Sequence, residues 1–242
     1  ILSISPKARI VDISHEVEKF NIRMGAFILA SAAPYFPRGT VHVAVVDPGV
    51  GTKRRPIIIE TKRSFYVGPD NGLLLLSALK EWLSHVYHIE NSEYMRPKIS
   101  TTFHGRDVFA PAAAHLALGC SPSRFGPEIH DFIVPQFAKT YRKKGELIGE
   151  VIHIDDFGNV VTNISSEDLE ELNTSVGDLL HLRIRRKTLG MRFCSAYGEV
   201  TVGTALTVVG SHDFLEISVN QGNASKTLNL KIGDSVGILQ RR

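Results

Sequence analysis

Residues 41–54 read VHVAVVDPGVGTKR, and this stretch decides the fold. The valine-rich run Val41–Val46 is typical of a strand that is buried on both faces of an α/β sheet. Ligands of open α/β sheets bind outside the carboxyl ends of the strands, which is where Asp47 stands. Pro48 and two glycines favour a tight turn that returns Arg54 toward Asp47. An Asp-Pro-Gly turn with a surface arginine explains the same residues without a ligand.

Strand-like and helix-like runs alternate on both sides of this stretch. We expect a strand over Ala8–Ile13, a helix over Ile22–Tyr35, a hairpin of Pro56–Glu60 with Ser64–Val67, and helices over Leu73–Leu83 and Arg106–Leu118. Such alternation predicts an N-terminal α/β domain with a largely parallel sheet.

The pattern changes after residue 127. Residues 135–145 are polar and basic, which predicts a linker between a domain of residues 1–134 and a domain of residues 146–242. The second part holds short strand-like runs, and Ser165–Asp168 has the pattern of a capping box that opens one helix. This pattern indicates a C-terminal antiparallel domain that is either β-barrel-like or a sandwich.

Composition excludes several classes of protein. The chain has 242 residues, a net charge of +3 and 43% hydrophobic residues, as an ordinary globular protein has. Its longest apolar stretch, Met24–Phe36, is too short to span a bilayer, and the N-terminal residues lack a signal-peptide pattern. Because the basic residues are scattered, we expect no nucleic-acid partner. Two cysteines, Cys120 and Cys194, form no disulfide framework, which favours a cytoplasmic location.

Two further motifs of the first domain stand at predicted helix starts. In GPDNG (68–72), Asp70 or Asn71 either caps the next helix or contacts a ligand. In TTFHGRDVF (101–109), His104 precedes a helix whose first N–H groups favour an anion, although a lone histidine is more often structural.

The second domain carries two motifs of its own. IDDFGN (154–159) combines an acid, an aromatic ring and an amide, which suit a purine, although a β-turn explains them as well. GSHDFLEISVN (210–220) contains Ser211-His212-Asp213, but consecutive residues do not converge as a catalytic triad. The chain lacks HxxxH, HExxH and CxxC pairs, so we expect no metal.

Taken in order, the five motifs DPGVGT, GPDNG, TTFHGRDVFAP, IDDFGN and GSHDFLEISVN resemble the S-adenosylmethionine hydroxide adenosyltransferase family. This family is related to the bacterial fluorinase and chlorinase. The resemblance covers nearly the whole chain. It implies hydrolysis of S-adenosylmethionine to adenosine and methionine by attack of activated water at C5′, with no cofactor. It also implies a homotrimer whose active sites lie between the α/β domain of one subunit and the barrel of the next.

The resemblance assigns roles to residues of this chain. Asp47, Arg54 and His104 match the set that handles water. Asn159 matches a residue that reads the adenine edge, and Asp155 one that faces the methionine ammonium group. The full set of implied substrate contacts is Phe20, Phe103, Asp155, Phe157, Asn159, Ser211, Phe214, Glu216 and Val219.

Two positions in the family resemblance distinguish water from halide as the nucleophile. The halogenases of the family carry tyrosine where this chain has Asp47, and they lack the histidine at His104, so the resemblance favours water over halide. A halide-using adenosyl transferase and a non-catalytic binding protein for adenosine or S-adenosylmethionine remain the alternatives. Family members usually begin with a strand and a TDFG-type motif whose Asp holds the ribose diol. This sequence begins after that point, so we expect that strand to be missing.

Overall fold

A computed structural model describes residues 1–239. The chain separates into two compact units, Ile1–Pro135 and the part from Gln136 onward. Within the described residues, no helix is both long enough and apolar enough to cross a lipid bilayer.

The first unit is a four-stranded sheet with helices. Its strands are β1 (Val41–Val43), β2 (Pro56–Thr61), β3 (Phe65–Pro69) and β4 (Leu83–His88), in the order β1-β3-β2-β4. Its helices are α1 (Ile22–Ala32), α2 (Leu75–Lys80) and α3 (Ala110–Ala117). The α/β class is confirmed, and the predicted hairpin and the predicted helix after Asn21 both form.

The sheet is mixed rather than largely parallel. β1 pairs with β3 in parallel, whereas β2 pairs with β3 and β4 in antiparallel fashion. A three-residue connection between β2 and β3 permits only antiparallel pairing, because a parallel crossover needs a dozen residues or more. The helix expected over Leu73–Leu83 ends at Lys80, and β4 begins three residues later.

The strand expected over Ala8–Ile13 does not form. Ile10 and Val11 are 52% and 55% exposed, and the segment is irregular. A strand needs a hydrogen-bonded neighbour, and within residues 1–239 the side of β1 that faces away from β3 has no strand against it. Val43 and Val45 are accordingly 39% and 44% exposed, although the run Val41–Val46 reads as fully buried.

The second unit is a closed barrel, as expected. Its strands are β5 (Tyr141–Lys143), β6 (Glu146–Ile154), β7 (Val160–Ser165), β8 (Leu179–Ile184), β9 (Lys187–Phe193), β10 (Ala205–Val209), β11 (Phe214–Val219) and β12 (Ser235–Leu239). Its helices are α4 (Ser166–Glu171) and α5 (Ala224–Leu228). β12 pairs with both β8 and β6, which closes a ring of seven described strands with β5 attached to β6. All pairs are antiparallel except β9 with β10.

Two local predictions about this unit, a capping box and a linker, can be compared with the structure. Ser165 and Asp168 form the predicted capping box, with a bond of 3.1 Å from the Asp168 N–H to Ser165 Oγ. Residues 135–145, expected to be a linker, include β5, whose register runs from Tyr141 opposite Ile148 to Lys143 opposite Glu146. The side chains of β5 are all exposed, so its composition resembles that of a linker.

Candidate active site

The segment that follows β1 carries Asp47. Beyond the strand, the Ala44 N–H still bonds to the Val67 carbonyl at 3.1 Å. A side chain at Gly68 would collide with the Ala44 carbonyl oxygen, so this approach requires glycine. The Asn71 side-chain amide then donates to the Val46 carbonyl at 2.8 Å. The backbone is therefore held up to the residue before Asp47.

The turn after Asp47 returns the chain, as the glycines predict. Gly51 has φ +75°, and a side chain there would collide with the Thr101 carbonyl oxygen. Only glycine combines this backbone conformation with so close an approach. The turn thus packs against the segment that leads to His104, and Arg54 follows three residues later.

His104 stands directly before a π-helical turn, Gly105–Phe109, that leads into α3. Single π-helical turns occur frequently at functional sites. Asp107, inside this turn, is fully buried; it accepts hydrogen bonds from Arg106 Nε at 2.7 Å and the Ser100 N–H at 2.8 Å. These bonds, those from Arg106 first, lower the pKa of Asp107 to about 2. Asp107 therefore anchors both ends of the loop that carries His104.

Asp47, Arg54 and His104 come together, as the motif match predicts. Arg54 Nε lies 3.1 Å from Asp47 Oδ1, and Arg54 Nη2 contacts Asp47 Oδ2. The same Nη2 lies 3.2 Å from His104 Nδ1. The side chains of Arg54 and Asp47 are only 7% and 5% exposed. Phe109 supports the cluster, with its ring centroid 5.3 Å from Arg54 Cζ.

This geometry sets the protonation of His104. A guanidinium group only donates hydrogen bonds, so His104 Nδ1 accepts from Arg54, and a neutral ring then carries its proton on Nε2. Burial and the positive charge of Arg54 lower the pKa of His104, against opposing effects of Asp47 and Asp107. His104 is therefore neutral at neutral pH, with one N–H that Arg54 does not use.

A cleft of about 610 Å³ runs beside β1 and reaches Asp47. Its lining is mostly apolar and includes Phe20, Leu29, Val45 and Val46. Phe20 is 75% exposed and has φ 67°, a conformation that is strained for a bulky residue. Phe20 and Asp47, for which the family resemblance implies roles toward substrate and water, thus line one cleft.

Phe103 lies next to the cluster along the chain. It is 54% exposed, and the guanidinium carbon of Arg106 lies 4.8 Å from its ring centroid. The ring is therefore accessible on the surface of the first unit and stacked against a cation. Its contact with substrate stays a prediction.

In the second unit, the β6–β7 turn brings Asp155 and Asn159 together. The Asn159 side-chain amide donates to Asp155 Oδ2 at 2.9 Å, and its backbone N–H donates to Oδ1 at 2.8 Å. Phe157, at the tip of the turn, is 78% exposed. The turn interpretation and the ligand interpretation are therefore compatible, because Asn159 retains its side-chain carbonyl oxygen and one N–H.

Glu216 is the centre of a buried polar network in the barrel unit. Its Oε1 accepts from Tyr197 Oη at 2.8 Å and from Ser218 Oγ at 2.6 Å, and its Oε2 lies 3.5 Å from His212 Nε2. Burial would raise the pKa of this carboxyl, but the bonds from His212, Ser218 and Tyr197 outweigh it and lower the pKa. Sequence reasoning missed Tyr197, which no motif marks.

The other predicted contacts of the last motif differ in accessibility. Ser211 is exposed, whereas Phe214 and Val219 are 1% and 6% exposed. Phe214 stacks on His212, with ring centroids 5.9 Å apart. Their roles toward a ligand stay predictions. Among residues 1–239, no group of three or more His, Cys, Asp and Glu side chains is placed to hold a metal ion.

Comparison with known proteins gives a consistent result. Residues 1–126 match the model of the SAM hydroxide adenosyltransferase N-terminal domain, and residues 149–237 match that of its C-terminal domain. The chain is 39% identical to an (R)-S-adenosyl-L-methionine hydrolase of Methanocaldococcus jannaschii, over 96% of this chain and 83% of the relative. A fluorinase of Nocardia brasiliensis is 27% identical, over 98% and 89%.

The solved structure of an uncharacterised conserved protein from Thermotoga maritima superposes with a TM-score of 0.82 at 40% identity. The superposition covers 98% of this chain and 91% of that protein. Family models, relatives and fold agree over both units. The chain therefore belongs to the SAM hydroxide adenosyltransferase family.

Proposed function

We propose that this protein hydrolyses S-adenosylmethionine to adenosine and L-methionine. The observation that carries the proposal is the hydrogen-bonded cluster of Asp47, Arg54 and His104 beside an accessible cleft. The cluster holds a carboxylate and a neutral imidazole, the two groups that orient and deprotonate water most readily. The relative from Methanocaldococcus jannaschii, an (R)-S-adenosyl-L-methionine hydrolase, supports the same chemistry.

The reaction is a displacement at C5′ of the ribose. The water oxygen forms a bond to C5′ as the C5′–S bond breaks, and the bonding electron pair goes to sulfur. The sulfonium thereby becomes the neutral thioether of methionine, a good leaving group that needs no general acid. The enzyme then has to hold water in line with the breaking bond and accept its proton.

Asp47 is the proton acceptor in this mechanism, and His104 orients the water. His104 Nδ1 is occupied by Arg54, so its Nε2–H donates to the water oxygen while a carboxylate oxygen of Asp47 accepts a water proton. Arg54 donates to both partners and fixes their relative orientation. Aromatic side chains such as Phe20 would stabilise the sulfonium by cation–π attraction.

We assign recognition of the rest of the substrate to the barrel residues. Asp155 would bind the methionine ammonium group, and the free N–H and carbonyl of the Asn159 amide would read the adenine edge. Phe103, Phe157, Ser211, Phe214, Glu216 and Val219 would supply the remaining contacts. The accessible Phe157 and the unused hydrogen-bonding capacity of Asn159 support this assignment.

We also propose a homotrimer in which each active site combines the first unit of one subunit with the barrel of the next. The distribution of candidate residues over both units supports this arrangement. A native mass of three times the 26.7 kDa chain mass is expected, and a monomer would contradict it. The free thiols of Cys120 and Cys194 favour the reducing conditions of the cytoplasm.

Two other functions use the same pocket. A halide nucleophile would meet the carboxylate of Asp47, which repels an anion, so the halogenase alternative is disfavoured. A binding protein would leave the ligand intact. Incubation with S-adenosylmethionine, with and without halide salts, followed by chromatography, separates the three. Adenosine with methionine supports hydrolysis, a 5′-halo-adenosine supports the halogenase, and intact ligand supports binding alone.

Acidification should inactivate the enzyme through His104. Because burial and Arg54 lower the pKa of His104, the neutral ring persists below pH 6.5, the ordinary histidine pKa. As pH falls through the lowered pKa, the ring becomes a cation and can no longer accept from Arg54. The profile of kcat/KM against pH should therefore have its acid limb below 6.5. A limb centred above this value would contradict the assignment.

A further inference from the structure

We propose that Asn71 is a positioning residue for Asp47. Its side-chain amide holds the carbonyl of Val46 and so fixes where the carboxylate of the next residue points. This inference rests on the proposed function, in which Asp47 accepts the proton of the attacking water. The sequence motif alone left Asn71 between a helix cap and a ligand contact.

The bond from Asn71 begins where the β ladder ends. The last register pair of β1 is Val43 with Val67, followed by the bond from the Ala44 N–H to the Val67 carbonyl. Asn71 Nδ2 then donates to the Val46 carbonyl at 2.8 Å. The backbone of β3 restrains the chain as far as Ala44, and the side chain of Asn71 extends this restraint to Val46.

Asn71 can act as a restraint because its own turn is fixed on both sides. Asp70 is 3% exposed and accepts from Arg55 Nη2 at 2.8 Å and from the Ile133 N–H at 2.9 Å. Gly72 has φ +91°, and a side chain there would collide with Pro135. The turn therefore cannot follow a displaced Val46, and loss of the bond releases the chain before Asp47.

The oxygen and the nitrogen of the Asn71 side-chain amide make different hydrogen bonds. Oδ1 accepts from the Leu73 N–H at 3.1 Å, which closes a local Asx turn. The helix cap expected at Asp70 or Asn71 does not form, because α2 begins at Leu75 and has no side-chain cap. Nδ2 is the donor to Val46. Aspartate keeps the oxygen that accepts from Leu73 but replaces the donor with an acceptor, which repels the Val46 carbonyl. Asn71→Asp therefore removes the positioning bond while it keeps the Asx turn.

Asn91 offers a matched control within the same unit. Its Oδ1 accepts from the Glu93 N–H at 3.1 Å, and its Nδ2 donates to the Arg124 carbonyl at 3.0 Å. Asn91→Asp thus makes the same chemical change to the same pair of bonds. Neither partner belongs to the Asp47 cluster. An effect of lost stability alone would appear in both variants.

The test compares both variants with the wild-type protein in steady-state kinetics and in the ring resonances of His104 by NMR. Asn71→Asp should lower kcat by about 100-fold, the scale of a misplacement of about 1 Å. KM for S-adenosylmethionine should change little, and Asn91→Asp should keep the wild-type kcat. Asn71→Asp should also shift the His104 resonances, because Asp47 and His104 share Arg54.

Three results would overturn the inference: a wild-type kcat in Asn71→Asp, an equal loss in Asn91→Asp, or His104 resonances that move in neither variant. Failure of the proposed function is distinguishable, because the wild-type protein would then form no adenosine. The NMR comparison still decides the positioning role in that case, since it needs no turnover.

Discussion

Replacing Asp47 with asparagine should lower kcat for adenosine formation by about a hundredfold to ten-thousandfold, the usual contribution of a positioned general base. Asparagine has nearly the same shape and still accepts a hydrogen bond from Arg54, but it cannot take a proton from water. KM for S-adenosylmethionine should change far less than kcat. Steady-state rates of adenosine release, followed by chromatography, measure both quantities.

Asp131→Asn is the matched control for this prediction. Asp131 also pairs with an arginine, Arg55 Nη1 at 2.7 Å, but its side chain is 80% exposed and lies outside the Asp47 cluster. The control should keep the wild-type kcat. A wild-type kcat in Asp47→Asn, or an equal loss in both variants, would remove Asp47 from the mechanism.

Replacing Arg54 with leucine should lower the free energy of unfolding by about 3–5 kcal/mol, the cost of leaving a buried charge without its partner. Asp47 is only 5% exposed on its side chain and bonds to Arg54 through both oxygens. Without Arg54, this carboxylate has lost its hydrogen-bonded cation. Urea unfolding at pH 7 measures the loss. Adenosine formation should fall as well.

The control for the arginine is Arg142→Leu. Arg142 pairs with Glu171 at 2.9 Å, with side chains 44% and 69% exposed, and such surface pairs contribute about 0–1 kcal/mol. The double variant that combines Arg54→Leu with Asp47→Asn should be more stable than Arg54→Leu alone, because Asp47→Asn removes the unpaired charge. If Arg54→Leu lost no more stability than Arg142→Leu, Asp47 and Arg54 would not form a buried ion pair.

Local sequence patterns predicted most of the elements and the β2–β3 hairpin, but not the pairings between elements that are more distant along the chain. The apolar periodicity of α1 and the capping box at Ser165 depend on neighbouring residues, and both form. The direction of β4 and the absence of a strand at Ala8–Ile13 depend on which neighbour each segment meets in space. Short-range patterns do not contain that information.

The candidate site was likewise predictable from the sequence only in part. The motifs located Asp47, Arg54 and His104, and the glycines before Arg54 correctly indicated a returning turn. What brings Arg54 to His104 is the contact of Gly51 with Thr101, fifty residues away, which no spacing rule reports. The bond of Tyr197 to Glu216 was missed for the same reason. The last motif marks Glu216, but Tyr197 lies outside every motif and contacts it only in the folded unit.

The central claim is that water, activated at Asp47, attacks C5′ of S-adenosylmethionine. The most direct test is a single incubation of the wild-type protein in water enriched in oxygen-18, with mass spectrometry of both products. The account predicts adenosine that carries one oxygen-18 atom at its 5′ position, and methionine without label. Unlabelled adenosine, or cleavage at another bond of the substrate, would contradict it.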